Sequence, residues 1–121
     1  MACILFVDDD YFTLETYDKI LTLLGHQTIL SESAGQALLL AEIQQPDLIV
    51  VDMHLLDMDG FEFLKRLKSN PATVHIPAVM VSASPEIYTQ RAIAAGALEY
   101  LTKPVYPEKL LEIIEQNRVE K

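Results

Sequence analysis

The chain has 121 residues, 50% of them apolar, and a formal charge of −9. That suffices for one buried core without disulfides or a structural metal. The acidic balance speaks against a nucleic-acid surface, which needs a basic patch, and no apolar stretch is long enough to span a bilayer. Cys3 is the lone cysteine, so no internal disulfide can form, and its apolar surroundings predict a reduced, buried thiol. With no basic segment ahead of the first apolar run, the expected location is cytoplasmic.

Residues 3–7 form a continuous apolar run, as in a strand buried on both faces. From Tyr11 to Leu24 the period becomes helical. Leu14, Tyr17, Ile20, Leu21 and Leu24 share a face, and Gly25 supplies the stop. A weaker strand is expected around Thr28 to Leu30. Ser33 opens a second helix, with Gln36 placed to complete a capping box, and Pro46 marks its far end. Residues 48–51 form a second fully apolar strand that runs into Asp52. A loop rich in Asp and Gly follows to Gly60. Phe61, Leu64 and Leu67 then outline a short helix with Lys65 and Lys68 on its wet side.

Pro77 precedes an apolar strand over Ala78 to Val81. Ser84 and Pro85 read as the cap and first turn of a helix over 86–95, closed by Gly96. Glu99 to Thr102 make the last strand, and Pro107 starts a final helix carrying Leu110, Leu111 and Ile114. Asn117 to Lys121 are expected to fray. Five βα units in succession predict a parallel sheet with helices on both faces, formed by residues 1–121 as one domain.

Ligands of an open α/β sheet bind beyond the carboxyl ends of its strands. Those ends carry Asp8, Asp9 and Asp10, then Asp52, then Ser82, then Thr102, Lys103 and Pro104. Carboxylates crowded on one rim repel, and a cation makes them tolerable. Hard oxygen ligands with room for water suit Mg²⁺. Asp10 is read as an N-cap for the first helix, leaving Asp8, Asp9 and Asp52 for the metal. Asp52, pinned at the end of a rigid strand, can bind metal through one oxygen and attack phosphorus through the other. Mg²⁺, the Lys103 ammonium and the Ser82 hydroxyl would then each cover one phosphoryl oxygen.

These residues resemble the receiver domain of two-component response regulators, over the whole chain. The acidic pair after the first strand matches in Ile4 to Asp9. The phosphoacceptor segment matches in Val50 to His54, running into Asp57 to Gly60. The switch hydroxyl and its small neighbour match in Ser82 and Ala83, and the final-strand signature matches in Ala95 to Pro104. The resemblance implies a flavodoxin-like α/β fold with strand order 2-1-3-4-5. It implies Asp52 as phosphoacceptor, Asp9 as the main metal ligand and Asp8 acting through water. The backbone carbonyl of His54 would be a further metal contact. Lys103 would pair with the phosphoryl group ahead of a cis Lys103–Pro104 bond, and Ser82 and Tyr100 would form a switch pair reshaping the 86–114 face. The implied partners are a histidine kinase or phosphotransfer protein and a downstream protein or fused output domain, without direct nucleic-acid or membrane contact.

Two features depart from or compete with this reading. Leu56 stands where the family often has proline, which predicts a looser loop. A haloacid-dehalogenase-type phosphohydrolase also places acids after a first strand, but it needs Thr where Phe12 stands. A signalling phosphoacceptor is therefore expected, not a turnover enzyme. The alternative is a receiver-like interaction module that works without phosphorylation.

Overall fold

Each apolar run becomes a strand because its backbone pairs on both sides while its side chains alternate between two faces. The computed structural model describes residues 1–83 and 88–117. The strands are β1 (Cys3–Val7), β2 (Gln27–Ser31), β3 (Leu48–Asp52), β4 (Ala78–Ser82) and β5 (Glu99–Thr102). They alternate with α1 (Tyr11–Leu23), α2 (Ala34–Gln44), α3 (Gly60–Ser69), α4 (Thr89–Ala94) and α5 (Pro107–Gln116). All strand pairs are parallel, in the order β2-β1-β3-β4-β5. The fold is thus the flavodoxin-like α/β sheet that the resemblance implied.

The period of two divides the core into two layers. Leu5, Val7, Ile49, Val51, Ala78 and Met80 face α2, α3 and α4. Ile4, Phe6, Leu48, Val50, Val79 and Val81 face α1 and α5. Because both faces are apolar, the apolar pattern by itself does not set the register. Register is held at the strand ends, where the pattern turns polar. In that register Val7 pairs with Val51, so Asp8 and Asp52 follow side by side.

Several helix faces differ from the periodic reading. On α1 only Leu14 and Leu21 are buried, while Ile20 and Leu24 stay exposed near the sheet edge. The helix does end at Gly25, whose φ of +86° lets His26 and Gly25 donate back to the Leu21 and Thr22 carbonyls. On α2 the buried residues are Ala34, Ala37 and Ala41. Small side chains let that helix approach the core closely, and Leu39 and Ile43 turn outward. On α5 it is Ile113, with Leu110 and Ile114, that is buried; Leu111 is half-buried.

The capping box of α2 is relayed rather than direct. Ser33 accepts from the Gln36 amide, but the Gln36 side chain accepts from Ser31, whose hydroxyl oxygen in turn faces the Ser33 N–H at 3.4 Å. Lys68 is not on a wet face. Its ammonium folds back to donate to the Val74 and Ile76 carbonyls at 3.1 and 2.6 Å, and burial lowers its pKa. Cys3 is half-buried, not buried, and burial followed by the nearby Asp47 carboxylate raises its thiol pKa. The Asn117 side chain donates to the Ile113 carbonyl at 2.9 Å. The expected Ser84 cap and Pro85 turn, and residues 118–121, lie outside the described residues.

One glycine is demanded by the site itself. A Cβ on Gly60 would stand 2.8 Å from the Asp52 carbonyl oxygen, 2.9 Å from Met80 Cε and 3.0 Å from Met53 Cα. Two of those neighbours are backbone atoms of the segment that carries Asp52. Gly60→Ala is therefore expected to destabilise the fold by about 1–3 kcal/mol, as overpacking does. A denaturant titration measures this, and an unchanged midpoint would show that the backbone yields freely there.

Candidate functional site

The rim is assembled by strand ends and by the bonds that tie their loops. Asp8 is buried at the end of β1, and its Oδ1 accepts from the Asp10 amide at 2.9 Å. Asp10 caps α1 as expected, accepting from the Phe12 amide at 3.0 Å and the Thr13 hydroxyl at 2.9 Å. The Thr13 bond is the main cause of its lowered pKa. Asp9 stays exposed between them. Asp52 closes β3 with 9% of its surface exposed, and the His54 amide donates to its Oδ1 at 3.4 Å.

Carboxylate oxygens of Asp8, Asp9 and Asp52 lie within 4.8 Å of one another. Lys103 reaches into the same space from the end of β5. Its Nζ stands 3.2 Å from Asp8 Oδ2 and 3.4 Å from Asp52 Oδ2. Three carboxylates against one ammonium leave two negative charges uncompensated, the charge of a divalent cation. The ligand atoms are all hard oxygens, and the exposed Asp9 leaves the group open to water. Such a set fits a magnesium-type ion better than zinc. Among the described residues no His or Cys joins the cluster, and the His54 side chain points into solvent-exposed surface.

Electrostatics show the strain of this crowding. Burial raises the Asp8 pKa, and the Asp52 charge adds to it. The Asp10 amide and Lys103 only partly oppose them. Burial works against the Lys103 charge too, but Asp52 and Asp8 together outweigh it and raise the Lys103 pKa.

The hydroxyl end of the rim also lies where the sequence predicts it. Ser82 is fully buried at the end of β4, and its carbonyl accepts from the Lys103 amide at 2.9 Å. It stands one residue beyond Val81, the register partner of Asp52. Tyr100 pairs with Met80 and packs, half-buried, against the layer under α3 and α4. The period of two places Ser82 and Tyr100 on that same face of the sheet. The Lys103–Pro104 bond is cis.

Two contributions were not visible in the sequence. Asp57 accepts from the Ala34 and Gly35 amides at 3.0 and 2.9 Å. Those bonds lower its pKa and tie the loop after β3 to the start of α2. The loop is anchored despite Leu56, which is 86% exposed and holds nothing. A partner so distant along the chain leaves no local signal. Tyr17, read only as part of an apolar face, stacks on Phe6 and bonds to Val105.

A parallel sheet in this order, with acids at two strand ends and a lysine at a third, defines a signalling receiver module. The sequence matches the response regulator receiver domain family over residues 4–115. The chain belongs to that family, the receivers of two-component signalling. It is 32% identical over 118 residues to Protein PilH of Pseudomonas aeruginosa, covering 94% of this chain and 95% of that one. It is 30% identical over 112 residues to the polar-differentiation response regulator DivK of Brucella ovis, covering 92% and 91%. Among solved structures, the chemotaxis response regulator CheY4 of Vibrio cholerae superposes with a TM-score of 0.85 at 28% identity, over 98% of this chain and 99% of that one. A CheY-like receiver domain protein from Methanospirillum hungatei does so with a TM-score of 0.84 at 31% identity, covering 96% and 92%.

The raised Asp8 pKa has a sign that can be checked. A folded carboxyl pKa above its unfolded value, about 3.9, favours folding at acid pH. That contribution is lost as pH rises through the folded value. Without metal, Asp8→Asn is therefore expected to raise the melting temperature at pH 7, with the gain shrinking toward pH 4. A variant that melts lower at neutral pH in the presence of a chelator would mean that the Lys103 pairing outweighs desolvation.

Proposed function

We propose that this receiver domain, taken as residues 1–121, accepts a phosphoryl group on Asp52 from a histidine kinase or a phosphotransfer protein. The convergence of Asp8, Asp9 and Asp52, with carboxylate oxygens within 4.8 Å of one another and the Lys103 ammonium 3.2 Å from Asp8 and 3.4 Å from Asp52, is the observation that carries this reading. Asp8, Asp9, Asp52 and the backbone carbonyl of His54 would hold Mg²⁺, with Asp8 acting through water. When bound, that ion supplies positive charge to the oxygens of the phosphoryl group in flight.

The remaining steps belong to the chain's own residues. An Asp52 carboxylate oxygen attacks phosphorus in line with the departing donor. The new O–P bond forms as the bond to the donor nitrogen or oxygen breaks, and the leaving group keeps the electron pair. Lys103, held beside Asp52 and Asp8, pairs with one phosphoryl oxygen, and the Ser82 hydroxyl donates to another. Little covalent work is asked of the protein beyond positioning and charge. The chain assists its own modification and its reversal by water, and it is not a turnover enzyme.

Transmission follows from the shared face of Ser82 and Tyr100. Ser82 moves toward the new acceptor oxygens, Tyr100 turns into the space released, and the 86–114 face changes its population of shapes. A downstream protein or a fused output domain reads that face. The formal charge is −9 and no helix among the described residues is long and apolar enough to cross a membrane; the proposed partners are cytoplasmic proteins, without direct nucleic-acid or membrane contact.

Two outcomes are expected. Adding Mg²⁺ raises the melting temperature by linkage, by about 2.7 kcal/mol of stability at a hundredfold excess over the dissociation constant. Asp9→Ala removes most of that gain, and a calorimetric scan that is indifferent to Mg²⁺ would refute the metal assignment. Incubation with acetyl phosphate and Mg²⁺ adds one phosphoryl mass to the intact protein and none to Asp52→Asn. Equal labelling of that variant would move the nucleophile elsewhere.

A further inference from the structure

Tyr17 lies outside the acidic rim, yet it touches both segments that frame it. Its ring stacks on Phe6 of β1, with centroids 4.5 Å apart and planes 12° from parallel. Phe6 stands two residues before Asp8. The Tyr17 hydroxyl donates to the Val105 carbonyl at 3.3 Å. Val105 stands two residues after Lys103, in the short connection between the end of β5 at Thr102 and the start of α5 at Pro107.

The same ring is a wall shared by two spaces. On one side is a cavity of about 10 Å³ lined also by Asp8, Asp52 and Lys103. On the other is an open groove of about 490 Å³ lined also by Phe12 and Tyr106. Burial raises the phenol pKa, so the hydroxyl stays protonated and able to donate across the working pH range.

Lys103 needs such a brace. Its amide is tied to Ser82, but its side chain is half-buried and is drawn to two carboxylates at once. Nothing in a flexible four-carbon stem selects one direction. The backbone that launches the stem must therefore be held, and the connection beyond Lys103 has no strand ladder to hold it. Tyr17 supplies that hold from α1, and the Phe6 stack fixes Tyr17 relative to Asp8.

We propose that Tyr17 is a positioning residue for phosphoryl transfer: it clamps the β5–α5 connection against β1 and sets the reach of Lys103 toward Asp52. This role rests on Asp52 being the phosphoacceptor. An O–H···O separation of 3.3 Å is long, so the contribution is modest.

Tyr17→Phe tests it, because the ring and its stack remain and only the hydroxyl is lost. Labelling by acetyl phosphate at saturating Mg²⁺ is expected to slow about two- to threefold, the size of one weak hydrogen bond. The ¹³Cε–¹Hε NMR signal of Lys103, assigned through Lys103→Arg, is expected to move. The Mg²⁺-induced melting shift is expected to stay the same, since the carboxylates proposed to hold the ion sit just after β1 and at the end of β3. Equal labelling rates for wild type and variant overturn the role, as does slower labelling with the Lys103 signal unmoved or with a smaller Mg²⁺ shift. A wild-type protein that takes no label sinks the phosphoacceptor reading and this role with it, whereas a labelled wild type with an equal Tyr17→Phe rate sinks this role alone.

Discussion

The structure depends on a repulsion it cannot relax. Val7 and Val51 are register partners in a sheet buried on both faces, so Asp8 and Asp52 must emerge next to one another. Sliding either strand by one residue would break the ladder and bring the polar end of the strand against an apolar layer. Lys103 softens the crowding from a third strand but leaves an excess of negative charge. Apolar burial on both sides of the sheet offsets this unfavourable cluster, as binding sites often require of the scaffold that carries them. The same excess is what a divalent cation would neutralise.

Around that centre the loops are held by specific bonds, not by bulk packing. Asp57 fastens the loop after β3 to the first amides of α2. The close approach of Gly60 to the Asp52 carbonyl brings α3 directly under β3. Asp10 fixes the start of α1, and Tyr17 links α1 to the connection after β5. Each tie joins a strand end to a helix on the same rim. Small errors in any of them would shift the charged groups of the rim relative to one another.

The far side of the sheet has a different character. Ser82 and Tyr100 share the face under α4, and α4 is seated by Arg91 stacking over the Phe61 ring at 4.0 Å. That contact puts a charge on an aromatic face, beside the apolar packing of Ala92, Tyr88 and Ala95. Among the described residues α4 runs over Thr89–Ala94, and Ala92 is buried.

Much of this was legible along the chain. Apolar runs ending in Asp8, Asp52 and Ser82, with Lys103-Pro104 after the last strand, specify both the βα alternation and the chemistry of one rim. Those signals are local, since strand length and end residue are properties of consecutive positions. Helix faces were less legible: α2 buries alanines and exposes Leu39 and Ile43, the reverse of what hydrophobicity predicts. Lys68 turned inward because carbonyls left over in the loop before β4 lay within reach of its ammonium. The sequence marked Asp57, Gly60 and Tyr17 through motif and helical period, but gave no sign of the distant atoms that they meet. Their ties are contacts between segments far apart in the chain, and only packing the helices onto the sheet decides which distant atoms meet.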